Sequence, residues 1–570
     1  MIHRRVLLTS LLASTAFARV AAAAPRPTSR PPNIVTIVLD DVGFSDLGCF
    51  GAEIRTPNID RLASRGLRYN RFDTKAVCST TRAAMFTGRN GHTVNMPDVP
   101  DLSMAAPAGA FPKTAFHIPQ NAQNLAQALK GAGYANWIVG KWHLIPKQQL
   151  GEGTERGDWP LQRGFDYFYG FARGWTDQYR PDLVENNDYI HPELPADYHL
   201  SSDLVDRSIS LVGEHRRKAP DQPFFLHLGL GVAHAPLQVP ARYADAYAGV
   251  YDKGWDEIRR ARFARMKSLG VIPADTALPP ANEGDRPWAE LSKDEKAVFA
   301  RYMEVYAGFM EHADEQIGRL LGYLEQAGLE ENTLVVLFSD NGAASEAGQA
   351  GEFDGLYRPN ALTPAEQRAR LAQLGAGETQ AAYPRPWAMA GVTPFRRYKL
   401  WPYLGGVRTP LIVSWPARIK DGGAVRGQFV DVVDIAPTLL DAAGTRFAEV
   451  VGGQAQLPVA GRSFGATFTD PKAPPARTTQ YFELRGNRAI TDGGWRAVAM
   501  HRCGSAFEED RWELYNTDVD YAESVDLAQR HPEVLARLQR LWAQEWDRYG
   551  SGPLAQPPEL LCRFARYFSE

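Results

Sequence analysis

The sequence predicts an α/β protein: a large, mostly parallel sheet sandwiched by helices, followed by a smaller C-terminal α+β subdomain containing an antiparallel sheet. Three observations carry this. Apolar runs rich in β-branched and aromatic residues recur from residue 33 to residue 415, each bounded by turn residues. Stretches of helical pattern, several ending in glycine, lie between them. Beyond about residue 430 the texture changes to closely spaced hairpin strands. Strands interleaved with helices point to parallel pairing with both faces covered.

The first residues, MIHRRVLLTSLLASTAFARVAAAAP, join a basic start, an apolar run and small residues ahead of a proline. This is the layout of a cleavable secretory signal over residues 1–24, cut near Ala23 or Ala24. The apolar run is too short to span a bilayer and Arg19 follows it. An exported protein, periplasmic or secreted, is expected. Adjacent Arg4 and Arg5 leave the twin-arginine route open beside the general one.

The main domain is expected over residues 30–430. NIVTIVLDD reads as its first strand, NIDRLASRG and NLAQALKGAGY as helices that stop at glycine. ANWIVGKWH, PFFLHLGL, NTLVVLFSDNG and TPLIVSWP read as further strands. A polar, proline-broken insertion over 241–296 leads into a long helix beginning AVFARYMEVYAG. The stretch from Gly342 to Pro394 is too long for an ordinary connection, so it is expected to line or cover a site. A subdomain over 431–570 carries the hairpin strands TQYFELRGNRAITDGGWRAVAM and RWELYN, then the helix PEVLARLQRLWAQEWDRYG.

Composition excludes several roles. Lys+Arg number 63 against 66 Asp+Glu, a net charge of -3, which offers no basic footprint for nucleic acid or acidic membranes. No later segment approaches 18 consecutive apolar residues, so no stable membrane anchor is expected. Four cysteines are too few for disulfides to be the main source of stability, although Cys503 and Cys562 are candidates for a pair.

In parallel α/β sheets, ligands bind at the carboxyl ends of strands. Here those ends carry Asp40 and Asp41, Asp340 and Asn341, Lys141 and His143, with His234 delivered just beyond PFFLHLGL. Lys141 and His143 stand two apart, on one face of an extended chain. Each taken singly has a plain reading as a turn, a cap or a structural histidine. Together they give three carboxylates and a carboxamide, hard oxygen donors suited to Ca²⁺ or Mg²⁺ rather than zinc. CSTTRAAMFTG has helical character, which places Cys78 at a helix N-terminus where an anion is stabilised, with Arg82 about one turn on.

CSTTRAAMFTGR resembles the sulfatase motif C-x-P/A-S/T-R-x-x-x-x-T-G. The resemblance extends through VLDDVGFSDLGCFG, TPNIDRLASRG, GYANWIVGKWHL, RGFDYFYGF, HAPLQVP, FSDNG, GGVRTPLIVSWPARI, VDIAPTLLDAAG and WELYN. The insertion beginning YDKGWDEIRRARFARMKSLGVIP is similar to that of bacterial arylsulfatases. The resemblance implies an alkaline-phosphatase-like fold and hydrolysis of sulfate esters, small-molecule or glycan. It implies that Asp40, Asp41, Asp340 and Asn341 hold calcium together with residue 78. It implies that Cys78 is oxidised to formylglycine by a maturation enzyme, and that Arg82 steadies it. Lys141, His143, His234 and Lys399 match the sulfate-pocket residues.

The implied chemistry uses the two hydroxyls of an aldehyde hydrate. One attacks sulfur, its proton passing to Asp340; the other loses its proton to His143 and expels sulfate. His234 is then the acid for the leaving alcohol, and Lys141 and Lys399 neutralise the sulfonyl oxygens. Three positions depart from the family pattern: Thr80 stands where proline or alanine is usual, Leu404 where an acid often precedes Gly-Gly, and no glycine follows the leucine of GKWHLI. A phosphonate monoester or phosphodiester hydrolase, and a non-catalytic sulfate or glycan binder, are the alternatives.

Overall fold

The computed structural model describes residues 30–101, 115–356, 360–550, 552–554 and 556–557. The expected signal over 1–24 lies outside the described residues. In chain order the elements that position the site are strand β1 (Asn33–Leu39), helix α1 (Cys78–Thr87), β2 (Ala135–Lys141), β3 (Tyr167–Phe171), α2 (Leu200–Lys218), β4 (Phe224–Gly229), α3 (Gly254–Ser268), α4 (Lys293–Gln326), β5 (Thr333–Ser339) and β6 (Leu411–Ser414). They are followed by β7 (Thr479–Leu484), β8 (Asn487–Asp492), β9 (Trp495–Ala499), β10 (Trp512–Asn516) and α5 (Pro532–Tyr549).

Among the described residues the main sheet has ten strands, and its middle runs β6-β5-β1-β4-β2-β3. From β5 to β3 all neighbours are parallel. Continuous apolar runs are what such doubly covered strands require. Along β1 the side chains alternate between two cores: Val35, Ile37 and Leu39 join the cluster that includes α4, while Ile34 and Val38 join the one that includes α1. The 34-residue α4 is capped by Ser292, whose side chain accepts from Glu295 N while the Glu295 side chain accepts in return from Ser292 N.

The sheet is mixed rather than parallel throughout. TPLIVSWP supplies β6, which runs antiparallel to β5 with Leu411 opposite Phe338. The chain therefore leaves β5 and re-enters the sheet at the same end of the strands, so the long segment between them starts and finishes over the strand ends. The insertion packs as α3, whose Arg262 is paired with Asp46 at 2.5 Å and Glu53 at 2.8 Å.

The C-terminal strands form a separate antiparallel sheet in the order β7-β8-β9-β10. Leu538 and Trp542 of α5 bury against Tyr481, Ile490, Ala497 and Leu514 of that sheet. Cys503 is disulfide-bonded; its expected partner Cys562 lies outside the described residues. Among the described residues no helix is long and apolar enough to cross a membrane.

Candidate active site

Strand register builds the centre. β1 and β5 are parallel neighbours with Leu39 opposite Ser339, so the residues that follow each strand arrive side by side. Carboxylate oxygens of Asp40, Asp41 and Asp340 lie within 4.8 Å of one another, all buried. Asn341 Nδ2 donates to Asp41 Oδ1 at 2.7 Å. Asp41 holds φ at 61°, a left-handed conformation that costs a non-glycine residue about 1–3 kcal/mol. Asp40 Oδ1 and Asn341 Oδ1 are buried acceptors without a hydrogen-bond partner. Orphaned oxygens beside three crowded carboxylates fit a divalent cation, and an all-oxygen donor set favours a hard one.

Three cationic side chains surround the cluster. Lys141 Nζ, from the end of β2, lies 2.6 Å from Asp40 Oδ2. Lys399 Nζ bridges Asp41 Oδ2 at 2.9 Å and Glu346 Oε1 at 2.7 Å. Arg82 donates to Asp340 Oδ2 through Nε at 3.0 Å and Nη2 at 2.8 Å, and to the Lys141 carbonyl through Nη1 at 3.1 Å. Burial, reinforced by Asp340 and Asp41 against the pull of Lys141, pushes the Asp40 carboxyl up to about 7. For Asp41, burial is outweighed by Lys399 and His234, which hold it at about 2.

Cys78 opens α1, preceded by Val77 in an extended conformation. Its Sγ lies 3.3 Å from His143 Nδ1. Burial, stronger than the opposing charges of Lys141 and Lys399, pushes the Cys78 thiol up to about 12. Burial also lowers His143, against the pull of Asp101. His234 lies with Nε2 3.6 Å from Asp41 Oδ2 and Nδ1 2.6 Å from the Ala235 carbonyl oxygen. Burial brings it down to about 4, although Asp41 opposes. All ten residues singled out from the sequence thus meet in one contact network.

Three further residues belong to this neighbourhood that the sequence did not single out as site residues. Asp101 accepts at His143 Nε2 over 2.6 Å, from a stretch that reads only as a turn. Glu346 sits in the loop-rich segment expected to line a site, which located it coarsely. Arg485, in the turn between β7 and β8, is held by Asp98 through Nε at 2.7 Å and Nη2 at 3.2 Å. Cys78 and Glu346 are both close enough to act on its charge. A cavity beside His234 is walled by Leu237, Ala347, Leu356 and Tyr383 and opens onto Asp41.

Comparison with known proteins identifies the family. The Sulfatase family model matches residues 32–445, and a C-terminal model described as N-sulphoglucosamine sulphohydrolase matches residues 397–545. An uncharacterized sulfatase of Schizosaccharomyces pombe is 32% identical over 538 residues, covering 90% of this chain and 93% of its own. An arylsulfatase of Klebsiella aerogenes is 29% identical over 474 residues, 80% of this chain and 95% of its own. The crystal structure of Ps i-CgsB in complex with k-i-k-neocarrahexaose superposes with a TM-score of 0.62 at 21% identity, covering 95% of this chain and all of that one. The chain belongs to the sulfatase family of the alkaline phosphatase superfamily and is a sulfuric ester hydrolase.

Proposed function

We propose that this protein is an exported, arylsulfatase-like enzyme that hydrolyses sulfate monoesters to an alcohol or phenol and sulfate. It uses formylglycine made from Cys78 and a bound calcium ion, with Mg²⁺ as the alternative metal. The observation that carries the reading is the state of residue 78. Its side chain faces His143 at 3.3 Å beside the carboxylate cluster, yet its thiol is held at about 12. A buried thiol that stays protonated at neutral pH is a poor nucleophile, so the unmodified cysteine is not equipped to attack sulfur. Conversion to the aldehyde hydrate supplies two hydroxyls on one carbon, one for attack on sulfur and one for expelling sulfate.

Asp40, Asp41, Asp340 and Asn341 would hold the cation, which would supply positive charge beside the nucleophile and the sulfonyl oxygens. Arg82 fixes Asp340, the acceptor of the first proton. Lys141 pairs with Asp40, and Lys399 with Asp41 and Glu346; both would place positive charge beside the sulfonyl oxygens. His234 is neutral in the resting site; an anionic ester beside it raises its proton affinity and equips it as the acid for the leaving group. The basic, apolar and small-residue layout of residues 1–24 supports export.

Peptide mass measurement on Cys78 tests the mechanism. The aldehyde form is expected, after processing by a formylglycine-generating enzyme; an intact thiol in active protein overturns it. Nitrophenyl sulfate is expected to exceed the matching phosphonate and phosphodiester in kcat/KM, and the reverse order overturns the substrate class.

A further inference from the structure

We propose that Asp101 is a positioning residue that fixes which nitrogen of His143 is free to take a proton from the side chain of residue 78. The inference rests on the reading of residue 78 as a hydroxyl-bearing nucleophile. It concerns a carboxylate from a loop outside the cluster of strand ends.

The His143 ring is gripped from both sides. Nδ1 faces Cys78 Sγ at 3.3 Å and Nε2 faces Asp101 Oδ2 at 2.6 Å. The backbone is fixed as well: Ser79 Oγ donates to the His143 carbonyl at 2.8 Å, and His143 N donates to the Ala172 carbonyl at 3.2 Å. The residue sits at φ 58°, an unfavourable conformation that aims the ring at residue 78. Gly174 makes the arrangement sterically feasible. A Cβ there would lie 2.7 Å from His143 Cε1, 2.8 Å from Nε2 and 3.0 Å from Asp101 Oδ2. The chain therefore leaves a gap shaped to the His143–Asp101 pair.

An ionised carboxylate can only accept, so the proton shared with Asp101 belongs to Nε2. In neutral imidazole the other nitrogen then carries the lone pair, and that nitrogen faces residue 78. When a hydroxyl on residue 78 gives up its proton, the proton goes to Nδ1 and the O–H electron pair stays on oxygen. Without Asp101 the ring is free to carry its proton on Nδ1, which then presents no lone pair to the hydroxyl. The same logic orients the base in other carboxylate–histidine–nucleophile arrangements, on unrelated folds.

The first measurement needs no turnover. Ring ¹⁵N NMR of His143, in protein with Cys78 unconverted, is expected to show the Nε2-protonated tautomer, and Asp101→Ala is expected to add the Nδ1-protonated form. A parent protein already protonated at Nδ1 overturns the proposal. In aldehyde-bearing enzyme, Asp101→Ala is expected to lower kcat by about 10- to 100-fold, the range for partners that orient a reacting group, with KM little changed. Asp101→Glu is expected to recover part of the loss. In a His143→Ala background Asp101→Ala is expected to have no further effect; an equal loss there means that Asp101 acts elsewhere and overturns the proposal. Absence of the aldehyde from active parent protein would instead overturn the reading of residue 78, and the tautomer measurement stands apart from it.

Discussion

Lys141 Nζ lies 2.6 Å from Asp40 Oδ2, while Oδ1 of the same buried carboxylate has no hydrogen-bond partner. One oxygen is thus neutralised by the protein and the other is the one that the proposed cation would take up. Substituting Lys141→Met removes a partner from a buried pair, which costs about 3–5 kcal/mol because a charge is left uncompensated. A bound divalent cation supplies replacement charge at the same carboxylate. The loss is therefore expected to be large in chelator and clearly smaller in saturating calcium, read from denaturant unfolding of both forms. An equal loss in the two conditions would show that Lys141 and the cation do not share Asp40.

The second prediction concerns pH. Burial and two neighbouring carboxylates raise the Asp40 carboxyl from its ordinary 3.8 to about 7. The metal-free folded state therefore binds a proton that the unfolded chain has lost, and this group's contribution to stability falls as pH rises from about 4 to about 7. His234, lowered to about 4, acts in the opposite sense between about 4 and its ordinary 6.5, so melting of the apo protein mixes two trends. The cleaner readout is the shift in Tm on adding calcium. A cation must displace the Asp40 proton at low pH and meets a free carboxylate above 7. The calcium-induced rise in Tm is expected to be small at pH 5 and large at pH 8; a rise that does not grow with pH would contradict it.

What was legible in the sequence follows from how each residue is positioned. Asp40, Asp41, Asp340 and Asn341 end apolar runs, and strand ends of a parallel sheet converge by topology. Cys78 and Arg82 lie one turn apart on a single helix, so their relation is local. Asp101, Glu346 and Arg485 reach the site from loops distant in sequence, where no periodicity reports direction. The antiparallel run of β6 was hidden for a similar reason: a four-residue apolar strand has the same composition whichever way it points. Asp41 and His143 were found as residue types, but their left-handed backbones were invisible, since neither is a glycine that would announce the conformation.

Thr80 gives the third prediction. Its hydroxyl is buried without a hydrogen-bond partner, in the first turn of α1. A buried unsatisfied hydroxyl costs about 1–3 kcal/mol, while the neighbouring methyl contributes about 0.8 kcal/mol by burial. Thr80→Ala removes both, so the folded protein is expected to be at least as stable as the parent. Alanine also restores the residue usual in the maturation motif. The aldehyde fraction at residue 78, measured by peptide mass after co-expression with a formylglycine-generating enzyme, is expected to rise. A lower fraction would show that the threonine is itself part of what that enzyme reads here.

The last prediction tests how the proposed metal ligands are held. Gly342 follows Asn341 directly, and its N–H donates to the Gly406 carbonyl at 3.0 Å. A Cβ at residue 342 would stand 1.9 Å from the Gly405 carbonyl oxygen, a backbone atom that cannot swing aside. The close approach ties the end of β5, which carries Asp340 and Asn341, to the segment that follows Lys399. Gly342→Ala must push the two backbones apart, moving Asn341 relative to Asp41, to which its side chain donates at 2.7 Å. Calcium affinity, followed by titration calorimetry on the folded variant, is expected to fall by about 10-fold or more, the range for disturbed ligand support. Because Cys78, Arg82 and His143 lie on other elements, the aldehyde content is expected to remain that of the parent. Unchanged calcium affinity would show that Asn341 is positioned independently of this contact.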